Sequence, residues 1–204
     1  MHDVGIYENL ILGIHFLLLK KCKIFDEKTI VRCYTGRSMR IKVRKHERRG
    51  YQSIKMSNIL EKQFLKQRND FEKSCVERDK KYHFPQGVIF ETDIAYAKDK
   101  NKAHRLDRYR PKGKEAQILP VIINVHGGGL LLGNKEFNKY FCALLSKKGF
   151  LVYSMEYRLI PDCTFFDQLR DIFLAMDFVK EHAAADGGDL SHVYLVGDSG
   201  GACL

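Results

Sequence analysis

What this sequence of 204 residues lacks narrows it first. It has no hydrophobic run long enough to span a bilayer. The longest, Leu10 to Leu19, contains His15 and is half of the roughly 20 residues a transmembrane helix needs. That run makes a poor secretory signal too: no basic stretch precedes it, and Lys20, Lys21 and Lys23 follow where small cleavage-site residues belong. The six cysteines, Cys22, Cys33, Cys75, Cys142, Cys163 and Cys203, form no CxxC pair and no framework spacing, so reduced thiols are expected in an unexported, cytoplasmic chain. No His-x₃-His or Cys/His spacing suits zinc, and neither metal nor cofactor is called for. Proline is scarce, with none before Pro85. Acidic residues are short in the first three quarters: residues 1–150 carry 32 Lys/Arg against 16 Asp/Glu, and residues 151–204 carry 3 against 9.

The composition, 45% hydrophobic and 29% charged, is that of a globular protein with a core. Its net charge of +10 is an N-terminal property, densest at Arg37–Arg49. Such a run could dock on nucleic acid or an anionic surface, but no recognised nucleic-acid module surrounds it, and a solvated basic face is the simpler reading.

Two kinds of sequence follow one another, residues 1–83 and residues 84–204. In the first, Met56, Leu60, Phe64, Phe71 and Cys75 recur at helical spacing, with Ile59, Leu65 and Val76 widening the stripe. This predicts an amphipathic helix between Met56 and Tyr82, and Leu10–Leu19 predicts another, with His15 as a core histidine. In the second, Val88–Ala97 and His104–Arg110 alternate like an antiparallel hairpin turning at Asp99–Lys102. Short apolar runs at 120–125, 150–157 and 192–196 predict strands buried on both faces. Helices are expected between them, Phe137–Lys148 ending at Gly149 and Phe165–Ala184. The second should bury Leu169, Ile172, Phe173, Met176 and Val179. Strand, helix, strand, helix, strand is the order of an α/β fold with a parallel sheet and an antiparallel start.

Two glycine motifs stand at the carboxyl ends of these strands, where open α/β sheets place ligands. His126-Gly127-Gly128-Gly129 follows the first buried strand, and Gly197-Asp198-Ser199-Gly200-Gly201 follows the third. Chance gives a G-x-S-x-G in roughly 5% of shuffles of this composition and an H-G-G-G in roughly 0.4%. A serine on a sharp strand-to-helix turn needs small flanking residues and presents its hydroxyl above the sheet. A glycine loop with free N–H groups complements it, because such donors stabilise an oxyanion by about 3–4 kcal/mol each. A nucleophile beside such a cradle predicts acyl transfer.

HGGGL at 126–130, YRLIP at 157–161 and GDSGGA at 197–202 resemble the alpha/beta-hydrolase superfamily, and most nearly its hormone-sensitive-lipase-like carboxylesterases. The likeness runs from about Gly87 to Leu204. It implies an alpha/beta-hydrolase fold, a small-molecule ester as substrate, and Ser199 as nucleophile. It also implies an oxyanion hole from the N–H groups of Gly127, Gly128 and Gly200. His126, Gly129, Gly197, Asp198 and Gly201 would support the motifs, and Tyr157 and Arg158 would be scaffold. Leu130 departs from the bulky aromatic usual in the branch, and Gly200 from the usual alanine. GDSGG also surrounds the nucleophile of chymotrypsin-like proteases, but those are all-β, and here a βαβ pattern leads to the serine.

In alpha/beta-hydrolases the acid and the histidine follow the nucleophile, whereas all eight histidines here precede Ser199. The expectation is the N-terminal part of an esterase, close to inactive and poorly folded alone, with the strand at 193–196 an unprotected edge. Two other readings stay open. One is a non-catalytic remnant acting as a binding module. The other is a basic helical binder in residues 1–83, a segment whose more modest role would be a cap over the serine.

Overall fold

A computed structural model describes residues 58–204 and two short antiparallel strands, β1 (Val31–Arg32) and β2 (Ser38–Met39). The expected helix at Leu10–Leu19 and most of the basic run at 37–49 lie outside the described residues. The remaining elements are α1 (Asn58–Asp79), β3 (Val88–Ala95), β4 (Arg105–Pro111), β5 (Leu119–Val125), a 3₁₀ turn (Lys135–Asn138), α2 (Lys139–Lys147), β6 (Leu151–Met155), α3 (Phe165–His182), β7 (Gly188–Gly197) and α4 (Gly200–Cys203).

Strands β3 to β7 make one sheet in the order β3-β4-β6-β5-β7. β3, β4 and β6 pair antiparallel, and β5 pairs parallel with both β6 and β7. The continuous apolar runs are explained by what lies on each side. Val121, Ile123 and Val125 of β5, with Leu151, Tyr153 and Met155 of β6, pack in a core that includes Ile172, Ala175 and Val179 of α3. Ile122, Val152 and Val196 sit in a second core with Cys142 and Ala143 of α2. Helices therefore cover both faces, and burial there pushes the Cys142 thiol up to about 12, which leaves it an inert core group. The four described cysteines, Cys75, Cys142, Cys163 and Cys203, are all free. Among the described residues no helix is long and apolar enough to cross a membrane.

Local signals set the helix ends. Thr164 and Asp167 form a reciprocal capping box at the start of α3, worth about 1 kcal/mol. Gly149 takes φ +100° just past α2, a conformation that favours glycine.

Two expected helix faces are corrected. On α3, Phe173 is 56% exposed, and the buried line runs instead through Gln168, Asp171, Ile172, Ala175 and Val179. Two polar side chains point inward because distant loops bond them: Gln168 Nε2 donates to the Leu130 and Arg158 carbonyls, and Asp171 grips the Arg158 guanidinium. On α1, Ile59, Leu65 and Val76 do not widen a buried stripe but face outward. The half-buried line is Phe64, Arg68, Phe71, Cys75 and Arg78. Phe71 packs on Phe137 with ring centroids 5.3 Å apart, and Arg78 lies over the same ring and donates to its carbonyl. The helix lies on the surface along a narrow seam.

The start of β7 yields a pH prediction. Asp189 accepts from the Ser191 hydroxyl at 2.6 Å and N–H at 2.8 Å and lies 2.6 Å from His192 Nδ1, which together bring its carboxyl down to about 2. A depressed carboxyl contributes stability above its ordinary value of 3.8 and loses that contribution as pH falls from there through about 2. Replacing Ser191 by alanine should return the Asp189 midpoint toward 3.8 in a carboxyl-carbon NMR titration. A midpoint that stays put would assign the effect to His192 and the Ser191 backbone N–H, which the variant keeps.

Candidate active site

The parallel register brings three strand tips level. Val125 pairs with Met155 on one side and with Gly197 on the other. The loops that follow, 126–134, 156–164 and 198–199, therefore leave from one rim of the sheet.

Ser199 sits on the tightest of them. Its φ of +46° and ψ of −115° lie outside the ordinary regions for an L-residue, in the last position before α4, and its side chain is exposed. The flanking glycines are there for space. A Cβ on Gly197 would lie 2.6 Å from the Gly201 carbonyl, and one on Gly201 would overlap the Val125 carbonyl oxygen and meet that of His126 at 2.6 Å. Only at these positions can the turn fold so tightly against the tip of β5. A Cβ on Gly200 would stand 3.0 Å from the backbone nitrogens of Gly129 and Leu130, so the start of α4 faces the glycine loop directly.

The loop itself is shaped by successive positive φ values, +126° at Gly128, +62° at Gly129 and +70° at Leu130. Its root is fixed by His126, which is fully buried and stacks on Tyr157 with ring centroids 4.3 Å apart. His126 Nε2 lies 3.0 Å from Glu156 Oε1 and its Nδ1 2.8 Å from the Gly127 carbonyl, while the Tyr157 hydroxyl donates to the His126 carbonyl at 2.8 Å. The second oxygen of Glu156 accepts from the Lys135 N–H, tying the loop to the 3₁₀ turn.

Asp198 joins loop and turn. Its Oδ1 accepts from the Gly127 N–H at 2.9 Å and from Asn138 Nδ2 at 2.7 Å. This corrects one expectation: the Gly127 N–H is committed to Asp198 and cannot also serve an oxyanion. Among the described residues nothing accepts from the N–H groups of Gly128, Gly129, Leu130 or Gly200, and the nitrogens of Gly129 and Leu130 lie 3.0 Å from where a Gly200 Cβ would stand, next to Ser199 in the chain. Gly129, expected as a support, replaces Gly127 among the free donors.

Behind the loop, Arg158 and Asp171 form a two-toothed pair. Asp171 Oδ1 accepts from Arg158 Nη2 at 2.7 Å, and Oδ2 from Arg158 Nε at 2.9 Å and its backbone N–H at 3.0 Å. Hydrogen bonding to Asp171 raises the Arg158 guanidinium further above its already high range. His104 Nε2 comes within 3.1 Å of Asp171 Oδ1 without the alignment of a hydrogen bond. Gln168, Asp171, Glu156, Asn138 and Arg68 all hold this rim, and motif reading missed each of them. For Gln168, Asp171 and Arg68 the only sequence signal was a polar residue falling on a helical line, and Glu156, just past β6, and Asn138, in the 3₁₀ turn, carried none.

Among the described residues no imidazole is hydrogen-bonded to Ser199: His126 is sealed under the loop, His104 is bonded to Asp99, His182 to its own helix and His192 to Asp189, and His83 stands between α1 and β3.

The model of the BD-FAE family matches residues 106–204. Over 99 residues the chain is 32% identical to an isoprenylcysteine alpha-carbonyl methylesterase of Arabidopsis thaliana, covering 48% of this chain and 23% of that protein. It is 30% identical over 97 residues to the versiconal hemiacetal acetate esterase of Dothistroma septosporum, covering 47% and 29%. Among solved structures it resembles esterase B from Lactobacillus Rhamnosis (HN001), with a TM-score of 0.62 and 31% identity, over 70% of this chain and 47% of that one. A bacterial heroin esterase gives 0.54 and 27%, over 62% and 39%. The chain thus spans under a third of the length of these two relatives and under half of each of these structures. The mixed sheet with helices on both faces, the order of the motifs and these likenesses give the part of the chain they span the alpha/beta-hydrolase fold of esterases.

Proposed function

We propose that this protein hydrolyses carboxylic esters through an acyl-enzyme on Ser199. One observation carries the reading: an exposed serine on a strained turn whose next residue, Gly200, packs directly on a glycine loop, with the N–H groups of Gly128, Gly129 and Gly200 left without acceptors among the described residues. In the proposed reaction Ser199 Oγ attacks the ester carbonyl carbon. The carbonyl oxygen becomes negative and accepts from the N–H groups of Gly128, Gly129 and Gly200, each donor contributing about 3–4 kcal/mol to the transition state. The bond to the alcohol oxygen then breaks, the serine proton leaves with the alcohol, and water releases the acid from Oγ. Asp198, His126 and Glu156 position the two loops and touch no reacting atom. The relatives named above are esterases of small molecules, which supports this class of substrate. The free cysteines are in keeping with a reducing, cytoplasmic setting.

Proton transfer needs a base, and the described residues bring none to Ser199, so residues 1–204 alone should react slowly, on the oxyanion hole and binding. Residues 1–83 we assign to a cap beside the site and residues 84–204 to the hydrolase core.

The test is to incubate the protein with p-nitrophenyl acetate, digest it and locate the acetyl group by mass spectrometry. Acetylation of Ser199, absent in Ser199→Ala, is expected. Acetyl groups on lysines alone, with Ser199 unmodified, would remove the nucleophile from the reading and favour a binding module. Rapid steady-state turnover by residues 1–204, abolished in Ser199→Ala, would overturn the claim that the base is missing.

A further inference from the structure

Helix α1 buries little, yet one of its side chains reaches the rim. The Arg68 side chain is 15% exposed, and its guanidinium spans three groups. Nε donates to the Leu131 carbonyl at 3.0 Å, Nη2 to the Ile160 carbonyl at 2.8 Å, and Nη1 pairs with Asp162 Oδ2 at 2.6 Å. These acceptors belong to the two loops bordering the proposed oxyanion donors, and the loops are joined to each other by the Ile160 N–H bonding the Leu130 carbonyl at 3.0 Å.

The contact matters because of where it falls. Residues 128–130 hold three successive positive φ values, free for the two glycines but not for Leu130; the Leu131 and Leu132 N–H groups close the turn on the Gly128 carbonyl, and further holds fix where it stands. At one end Asp198 fixes the Gly127 N–H. At the other, Gln168 Nε2 and the Ile160 N–H hold the Leu130 carbonyl, and Arg68 holds that of Leu131. Among the described residues, Arg68 is the hold on this loop that comes from outside residues 84–204. A planar fork with fixed donors holds two carbonyls and a carboxylate in one set geometry, whereas an ammonium on a flexible stem has three rotatable donors and imposes none.

We propose that Arg68 is a positioning residue that sets the angle of the Gly128 and Gly129 N–H groups toward Ser199, so that the docking of α1 and the competence of the oxyanion hole are coupled. This rests on the reading of Ser199 as an acyl nucleophile.

Two readouts on Arg68→Ala, Arg68→Lys and Asp162→Asn separate the inference from that reading. The first, amide hydrogen exchange in a peptide covering 126–133, needs no chemistry. Arg68→Ala should speed exchange there by about tenfold, Arg68→Lys should restore little, and millimolar guanidinium should restore part. The second is the rate of Ser199 acetylation at saturating ester, which should fall by roughly 10- to 100-fold in Arg68→Ala with half-saturation within about twofold. Faster exchange confined to α1, with 126–133 and the acetylation rate unchanged, would overturn the proposal. If wild type shows no acetylation at Ser199, the functional reading fails, and exchange at 126–133 still decides the coupling. Should Arg68→Ala unfold, Asp162→Asn keeps both carbonyl bonds and should show the same exchange change, reduced to about twofold to fivefold; no change there counts against the coupling.

Discussion

Asp171→Ala should cost about 3 kcal/mol of folding stability, at the lower end of the 3–5 kcal/mol typical of breaking a buried ion pair. Asp171 is fully buried on α3, and both of its oxygens are taken by Arg158. Removing the carboxylate leaves three donors of Arg158 without acceptors against the core, along with an unfilled volume. The loss sits at the lower end because the Arg158 side chain keeps 27% exposure and can recover some water. Asp171→Asn retains an acceptor and should lose about half as much. Urea unfolding with an unchanged m-value measures both. A loss under about 1 kcal/mol in Asp171→Ala would mean that the pair is incidental to the fold.

Gly201→Ala should have the second large effect, and on both stability and chemistry. The added methyl would overlap the Val125 carbonyl oxygen and crowd that of His126, and both are main-chain atoms at the tip of β5 with no flexible end to swing aside. The turn must move away from the strand, at about 2–3 kcal/mol for overpacking. Ser199 moves with it, so acetylation should fall by roughly 100-fold for a displacement on the order of 1 Å. Gly129→Ala is the control. Its Cβ would meet nothing within 4 Å, so its cost is the φ of +62° alone, about 1–2 kcal/mol. Equal losses in the two variants would show that close approach is not what requires glycine at 201.

The architecture was readable because its signals are local. Apolar runs such as 120–125 and 150–157 predict doubly covered strands, and the structure packs helices on both faces of Leu119–Val125 and Leu151–Met155. Glycines placed the two loops at the strand tips, and the structure brings them together. The orientation of the helices was not readable. Phe173 looks like a core residue by spacing and Gln168 and Asp171 do not. The choice is made by Leu130, Arg158 and His104, which lie in other segments and supply the partners that let polar groups be buried. The Gly127 N–H fails for the same reason. Nothing in H-G-G-G says which amide a carboxylate 71 positions away will occupy. Arg68 was invisible in kind, one of five cations on a helix with as many acids, until its three acceptors are seen.

The level register of β5 with its parallel neighbours sorts the chain into two ends with different freedom. All the turns that shape the site emerge at one end. The connections at the opposite end, 112–118, 148–150 and 183–187, touch none of it. Length changes, tags or grafted segments at that far end would leave the reacting geometry alone, whereas a single residue added within 126–131 would carry the donors away from the serine.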